Sequence, residues 1–367
     1  MGGSGMADDR PVLDLVEAVH VVVPYRLPFQ AAHGVFTARN SWILRLGDRD
    51  GRQGFGEMAL DPSASAADES ALRRAVREAV DLLADGVTPD WSARGGSGAI
   101  GRAVRAGVDS ALEWMSIGGS AGSAAVAVNA TLDFSGPNEA AEAATRAVSA
   151  GFSTLKIKAV GAESPVALAA RLTAIRRAVG GSIRLRLDVN GSWDLATAIG
   201  RLNALTEYDI EYVEQPLPAA DVDGHAILRR ETTVPVALDE SVADEASAQR
   251  ILEVGAADVL VVKPARVGGP GVVRAIAARA ADAGVPVVLS TFFETGVGLV
   301  AALRAAAGLP QIDEERAHGL ATMGLLEHDL LVKPIVVVAG RITMLPVAEL
   351  DDAALDRFAV ERVGQMP

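Results

Sequence analysis

Three hydrophobic runs along this chain each close on an acid: Asp188 in RLRLDVN, Glu214 in EYVEQPL and Asp239 in VPVALDES. Their spacings of 26 and 25 residues match the length of one strand–loop–helix–loop unit. Such a period places each acid at the C-terminal end of a buried parallel strand, the end where β/α barrels carry their chemistry. Lys156 and Lys158 lie one unit upstream in TLKIKAV, and Lys263 lies one unit downstream in DVLVVKP. Few folds repeat a charged strand end in this way.

The rest of the chain agrees with that frame. Candidate strands AVNATL, STLKIKAV, SIRLRLDVN, IEYVEQPL, VPVALDES, ADVLVVKP, VPVVLSTFF and AHGLATM alternate with Ala/Leu/Arg-rich helices such as SPVALAARLTAIRRAVG. Ahead of them, residues 14–60 read as strands: LVEAVHVVVPY, then a hairpin across Asp48–Gly51, with AAHGVFTARN between them as a polar loop. Residues 66–118 switch to helical periodicity. The expected division is residues 1–5 as an expression-tag remnant, 6–125 as an α+β domain and 126–325 as a β/α barrel. Residues 326–367 form a segment folding back on the first domain.

Composition excludes several functions. With 50% apolar and 22% charged residues, the 367-residue chain can bury a large core. A net charge of −13 argues against nucleic acid or an anionic membrane as the partner. The absence of cysteine removes disulfides and thiol chemistry. With no long charge-free apolar stretch and no secretion signal, a cytoplasmic enzyme acting on a small molecule is expected, and a homo-oligomer is compatible with the sequence.

Alternation along SIRLRLDVN sends Arg184, Arg186, Asp188 and Asn190 to one face and Ile183, Leu185, Leu187 and Val189 to the other. Charges inside a barrel are unfavourable unless they pair or bind something. A salt-bridged strand end is the bland alternative, and acids on the next two strands weaken it. Three carboxylates brought together without a cation would force one to stay protonated. Oxygen-only donors fit Mg²⁺, with Mn²⁺ an alternative, and no nearby Cys or His pair favours zinc. The strand order Lys, acid, acid, acid, Lys sets the strand of Lys156 and Lys158 across the mouth from the strand of Lys263. Such a site can remove the proton α to a carboxylate and stabilise the enediolate that forms.

These motifs resemble the enolase superfamily, specifically its muconate-lactonising-enzyme subgroup. The resemblance implies a modified (β/α)7β barrel with an N-terminal α+β capping domain, whose HGVFTARN and GEMALDPS loops close over the site. It also implies that Asp188, Glu214 and Asp239 hold the metal, with Lys158 as acid/base and Lys263 on the opposite face. LSTFFETGVGL, HGLAT, YRLPFQAAHG and Arg186 are similar to the o-succinylbenzoate synthase family. That likeness implies a dicarboxylate substrate, 2-succinyl-6-hydroxy-2,4-cyclohexadiene-1-carboxylate, dehydrated in a step toward menaquinone. Racemases of N-succinylamino acids and dipeptide epimerases use the same two lysines, so these residues do not separate the readings. A catalytically inert barrel is the third reading, and the intact lysines and acids argue against it.

Around this centre, Lys156 and Asn190 are expected to support the metal or base. Ser290 and Thr291 are expected to contact the succinyl tail, and His318 either lines the mouth or is structural. By alternation Glu240 points away from Asp239, and Glu294 is structural at the seventh-strand turn. His20, His225 and His328 belong to no constellation. GGPGVVRA and GGSGAIGRA match neither a Walker nor a dinucleotide pattern, and a plain turn explains them.

Overall fold

A computed structural model of the chain describes residues 12–365 except for 32–33, 90, 92–97, 118–124, 134–135, 160–162, 311–315 and 345–346. The tag remnant expected at residues 1–5, and the start of GGSGAIGRA, lie outside the described residues.

The amino-terminal strands β1 (Leu13–Ala31), β2 (Gly34–Asp48) and β3 (Gln53–Met58) form an antiparallel ribbon. The polar loop expected at AAHGVFTARN is a strand over most of its length. Pairing of Phe29 with Phe36, Gln30 with Val35 and Ala31 with Gly34 carries both strands outward.

On one face of this sheet lie α1 (Ala66–Ala84) and α2 (Ala99–Ser116). Ser65 caps α1 in a capping box with Asp68, and Leu72, Val76, Ala79, Val80 and Leu83 give it a buried stripe. Helix α2 rests directly on β3, because a Cβ on Gly56 would stand 1.8 Å from the Gly107 carbonyl oxygen. Alternation sends Trp42, Leu44 and Met58 toward these helices, and Val21, Ile43 and Phe55 toward the barrel.

The remaining elements run β4 (Ala125–Ala127), β5 (Ala130–Leu132), α3 (Pro137–Ser149), β6 (Thr154–Lys158), α4 (Pro165–Val179), β7 (Arg184–Asp188) and α5 (Leu195–Ala204). They continue as β8 (Ile210–Glu214), α6 (Val222–Glu231), β9 (Val236–Leu238), α7 (Glu245–Val254), β10 (Val259–Val262), α8 (Pro264–Val267) and α9 (Pro270–Asp282). Last come β11 (Val287–Leu289), α10 (Gly296–Ala307), β12 (Val337–Val338), β13 (Arg341–Thr343), α11 (Asp352–Phe358) and β14 (Ala359–Gln365).

Strands β5 to β11 form one parallel sheet in sequence order. The eighth position is taken by His318 and Gly319, which bridge Val128 on one side and Ser290 on the other. That two-residue seam closes the barrel. Leu155, Leu185, Leu187, Val236, Leu260 and Leu289 pack outward under the helices, while Tyr212, Ala237, Val259, Val261 and Val288 fill the interior. Period 2 therefore separates two cores. Aspartates at the helix starts, Asp194, Asp221 and Asp244, cap α5, α6 and α7 and fix where each strand-end loop finishes.

Strand β14 returns to pair with β1 and becomes the outer strand of the first sheet. Gly268 and Gly269 in GGPGVVRA both take positive φ and form a turn into α9. Among the described residues, no helix is long and apolar enough to cross a membrane.

Candidate active site

Parallel register assembles the centre. Lys158 pairs with Asp188, and Asp188 with Glu214, so one layer of the barrel carries a lysine and two acids side by side. Asp239 follows the end of β9, and Lys263 follows the end of β10 and precedes Pro264, which starts α8. All three acids are buried. Lys158 is the most open of the three lysines at the centre, with 25% of its side chain exposed against 14% for Lys156 and 11% for Lys263.

The acids and cations interlock. Lys156 Nζ donates to Asp188 Oδ2 and to Glu214 Oε1, both at 2.7 Å. Lys158 Nζ lies 2.7 Å from the same Asp188 oxygen and 2.9 Å from Asn190 Oδ1. On the far side, Asp239 accepts from Lys263 through Oδ2 and from Arg266 through Oδ1 at 2.5 Å. Burial would raise Asp188, but the Lys156 and Lys158 ammoniums overcome it and hold the carboxyl at about 2. For Glu214 burial wins: together with the charges of Asp188 and Asp239 it outweighs Lys156 and pushes the group up to about 7. Burial opposes the charge on Lys156, yet Asp188, Glu214 and Asp239 raise it well above an ordinary lysine.

Other residues singled out in the sequence serve the frame. Arg186 is fully buried beneath the triad. Its Nε donates to Glu211 at 2.6 Å, and its Nη1 donates to the Ala317 carbonyl at 2.8 Å and to Asn129 at 3.3 Å. The guanidinium also stacks 4.6 Å from the Tyr212 ring centre. His318 Nδ1 accepts from the Leu289 amide at 2.9 Å, which leaves its proton on Nε2. Burial, reinforced by Arg186 and Arg316, lowers that imidazole to about 4. Ser290 and Thr291 are buried along the same seam, where Thr291 Oγ1 meets Thr322 Oγ1 at 3.1 Å. His225 is a buried strut, accepting from the Leu217 amide at 3.2 Å.

Two contributors escaped the sequence reading, and a third, Glu240, supports the centre without ligating, as expected, but from another direction. It does not point away: its Oε1 accepts from Asn190 Nδ2 at 3.0 Å, linking it through Asn190 to Lys158. Alternation fails because β9 ends at Leu238, before the residue in question. Arg266 reaches Asp239 because the single turn of α8 brings it back over the strand end. Gln215, in a left-handed conformation, accepts from the Asp239 amide at 3.0 Å and the Ser241 amide at 3.1 Å and so sets the third acid in place. Its position directly after Glu214 was the only signal.

The donor chemistry fits a hard divalent cation. Asp188, Glu214 and Asp239 offer only oxygen, and Glu214 is held up in part by its two acidic neighbours. Cationic side chains hold these oxygens as they stand, and among the described residues no three His, Asp or Glu side chains are grouped closely enough to ligate an ion.

Comparisons with known proteins identify the family and the fold. The family described as "Enolase C-terminal domain-like" matches residues 139–348. The o-succinylbenzoate synthase of Thermobifida fusca is 42% identical over 227 residues, covering 62% of this chain and 68% of that protein. The hydrophobic dipeptide epimerase of Enterococcus faecalis is 36% identical over 202 residues, covering 54% of this chain and 56% of that protein. Among solved structures, a probable mandelate racemase from Alicyclobacillus acidocaldarius superposes with a TM-score of 0.80 at 28% identity, covering 95% of this chain and 98% of that one.

Proposed function

Since the chain belongs to the enolase superfamily, we propose that it is an o-succinylbenzoate synthase, dehydrating 2-succinyl-6-hydroxy-2,4-cyclohexadiene-1-carboxylate on the way to menaquinone. The observation that carries this reading is the placement of Lys158 at the open side of the mouth, 2.7 Å from Asp188. The similarity to the Thermobifida synthase supports the choice of substrate.

In this reading Asp188, Glu214 and Asp239 would hold Mg²⁺, or Mn²⁺, which would supply positive charge beside the substrate carboxylate. Lys158, as the free amine, takes the α-proton, and the C–H electrons pass into the carboxylate. Their return forms the new double bond and breaks the C–O bond of the adjacent hydroxyl. The Lys158 ammonium gives its proton to the departing hydroxide, and water leaves. Lys263 faces the other side as a fixed cation, steadied by Asp239 and by the Phe292 ring at 5.2 Å. Asn190 and Glu240 orient Lys158. Arg186 and His318 hold the barrel walls that shape the pocket, and Ser290 and Thr291 would contact the succinyl tail.

The runner-up is racemisation of N-succinylamino acids or epimerisation of dipeptides, in which Lys263 becomes a second base. The Enterococcus relative and the place of Lys263 opposite Lys158 favour it. Lys158→Ala should lower dehydration roughly 10²–10⁴-fold. Deuterium entry at Cα of N-succinylamino acids in D₂O, with no turnover of the cyclohexadiene, would instead establish the racemase.

A further inference from the structure

Glu57 lies in β3, far from the triad in sequence, yet its buried carboxylate is the anchor between the first sheet and the barrel. It accepts from the Thr295 amide at 3.0 Å, the Thr295 hydroxyl at 2.7 Å and the Gly298 amide at 3.1 Å. Ser41 donates to its other oxygen at 2.5 Å. A side chain at position 298 would collide with this arrangement, since a Cβ there would stand 2.7 Å from Glu294 Cβ and 3.0 Å from Glu57 Oε2.

What Glu57 holds is the exit of a tight turn. Phe293 adopts a left-handed φ of 64°, which a bulky residue keeps only when its surroundings enforce it. Glu294 folds back to accept from the Phe292 amide at 2.5 Å, and Thr295 then caps α10. The turn presents the Phe292 ring to two cations, 5.2 Å from Lys263 Nζ and 4.9 Å from the Arg266 guanidinium. Glu57 and Glu294 also line a cavity of about 20 Å³ with Pro264 and Ala265, the residues that follow Lys263. The clamp thus borders the lysine's own segment.

We propose that Glu57 is a positioning residue: by fixing Thr295 and Gly298 it holds the Phe292 ring against Lys263 and so sets where that ammonium stands. Lys158, on the opposite side of the mouth, has no part in this chain of contacts. The inference rests on the reading that Lys263 faces the substrate, and its test separates the two.

In the full-length protein, acetylation of each lysine by acetic anhydride at fixed pH is followed by peptide mass spectrometry. Glu57→Gln should raise the Lys263 rate about tenfold, as should Phe292→Leu by removing the ring, and both should leave Lys158 unchanged. Dehydration should lose about 10- to 100-fold in kcat with KM within about twofold, the signature of a displaced group and not of lost binding. Ser41→Ala, which removes one donor to Glu57, should act in the same direction more weakly and serves if Glu57→Gln does not fold. Parallel changes at Lys158 and Lys263, or a lower melting temperature with Lys263 reactivity unaltered, would overturn the proposal. A wild-type protein that does not dehydrate the cyclohexadiene would end the synthase reading, while the lysine rates would still decide the role of Glu57.

Discussion

Replacing Arg186 with leucine separates support of the barrel from contact with substrate. The guanidinium joins two barrel strands, its own β7 and Glu211 of β8, to Asn129 just before β5 and to Ala317 at the closing seam. Leucine removes a hydrogen-bonded ion pair, two hydrogen bonds from the guanidinium to neutral acceptors and a cation–π contact, and leaves the Ala317 carbonyl and Asn129 without that donor. Glu211 keeps Arg316 at 3.2 Å, so it does not become an unpaired buried charge. Breaking a buried pair typically costs about 3–5 kcal/mol, and the surviving Arg316 contact places this variant near the lower end. For 367 residues, about 3 kcal/mol corresponds to a fall in Tm of about 4 °C. Differential scanning calorimetry would read the shift, and steady-state kinetics would show kcat falling more than KM rises. Arg186→Lys should recover little, because an ammonium cannot reach three partners with a planar fork. A large rise in KM with Tm unchanged would refute the argument and make Arg186 a substrate ligand.

Two further outcomes follow from groups described above. Burial raises Glu294 to about 7 from its ordinary 4.5. Its neutral form therefore stabilises the fold fully below about pH 4.5, and that contribution is lost as pH rises through 7. Melting curves of Glu294→Gln between pH 5 and 8 should be flatter than those of the wild type, and parallel curves would show that Glu294 does not titrate in this window. Added Mg²⁺ at about 100 times its Kd should stabilise the protein by about 2.7 kcal/mol, and Asp239→Asn should abolish most of that gain. Equal shifts in both proteins would place the ion elsewhere.

Much of the barrel could be read in advance because one rule, alternation, operates within each strand, and one period, the βα repeat, operates between strands. Asp188 and Glu214 obey both, being terminal residues of β7 and β8 in direct register. Legibility stopped where strands stop. Glu240 lies two residues beyond β9, where alternation no longer applies, and Arg266 depends on a helical turn of four residues. Glu57 meets Thr295 across 238 positions, a contact with no local signature. Arg186 shows a different limit. Its face was correctly inferred from the strand pattern, but a face names a direction and not a depth, and this side chain points inward below the mouth.

The pairing of β14 with β1 gives the molecule an order of assembly. Val16 finds its partner in Gln365, so nearly the whole chain must leave the ribosome before the first sheet gains its outer strand. Closing so long a loop adds little to the equilibrium, since the entropy grows only logarithmically with length. Its effect is on timing. Until residues 359–365 have been made, β1 presents an open hydrogen-bonding edge, a template for wrong partners. The barrel strands, which pair with sequence neighbours, can settle before β14 arrives to cover that edge.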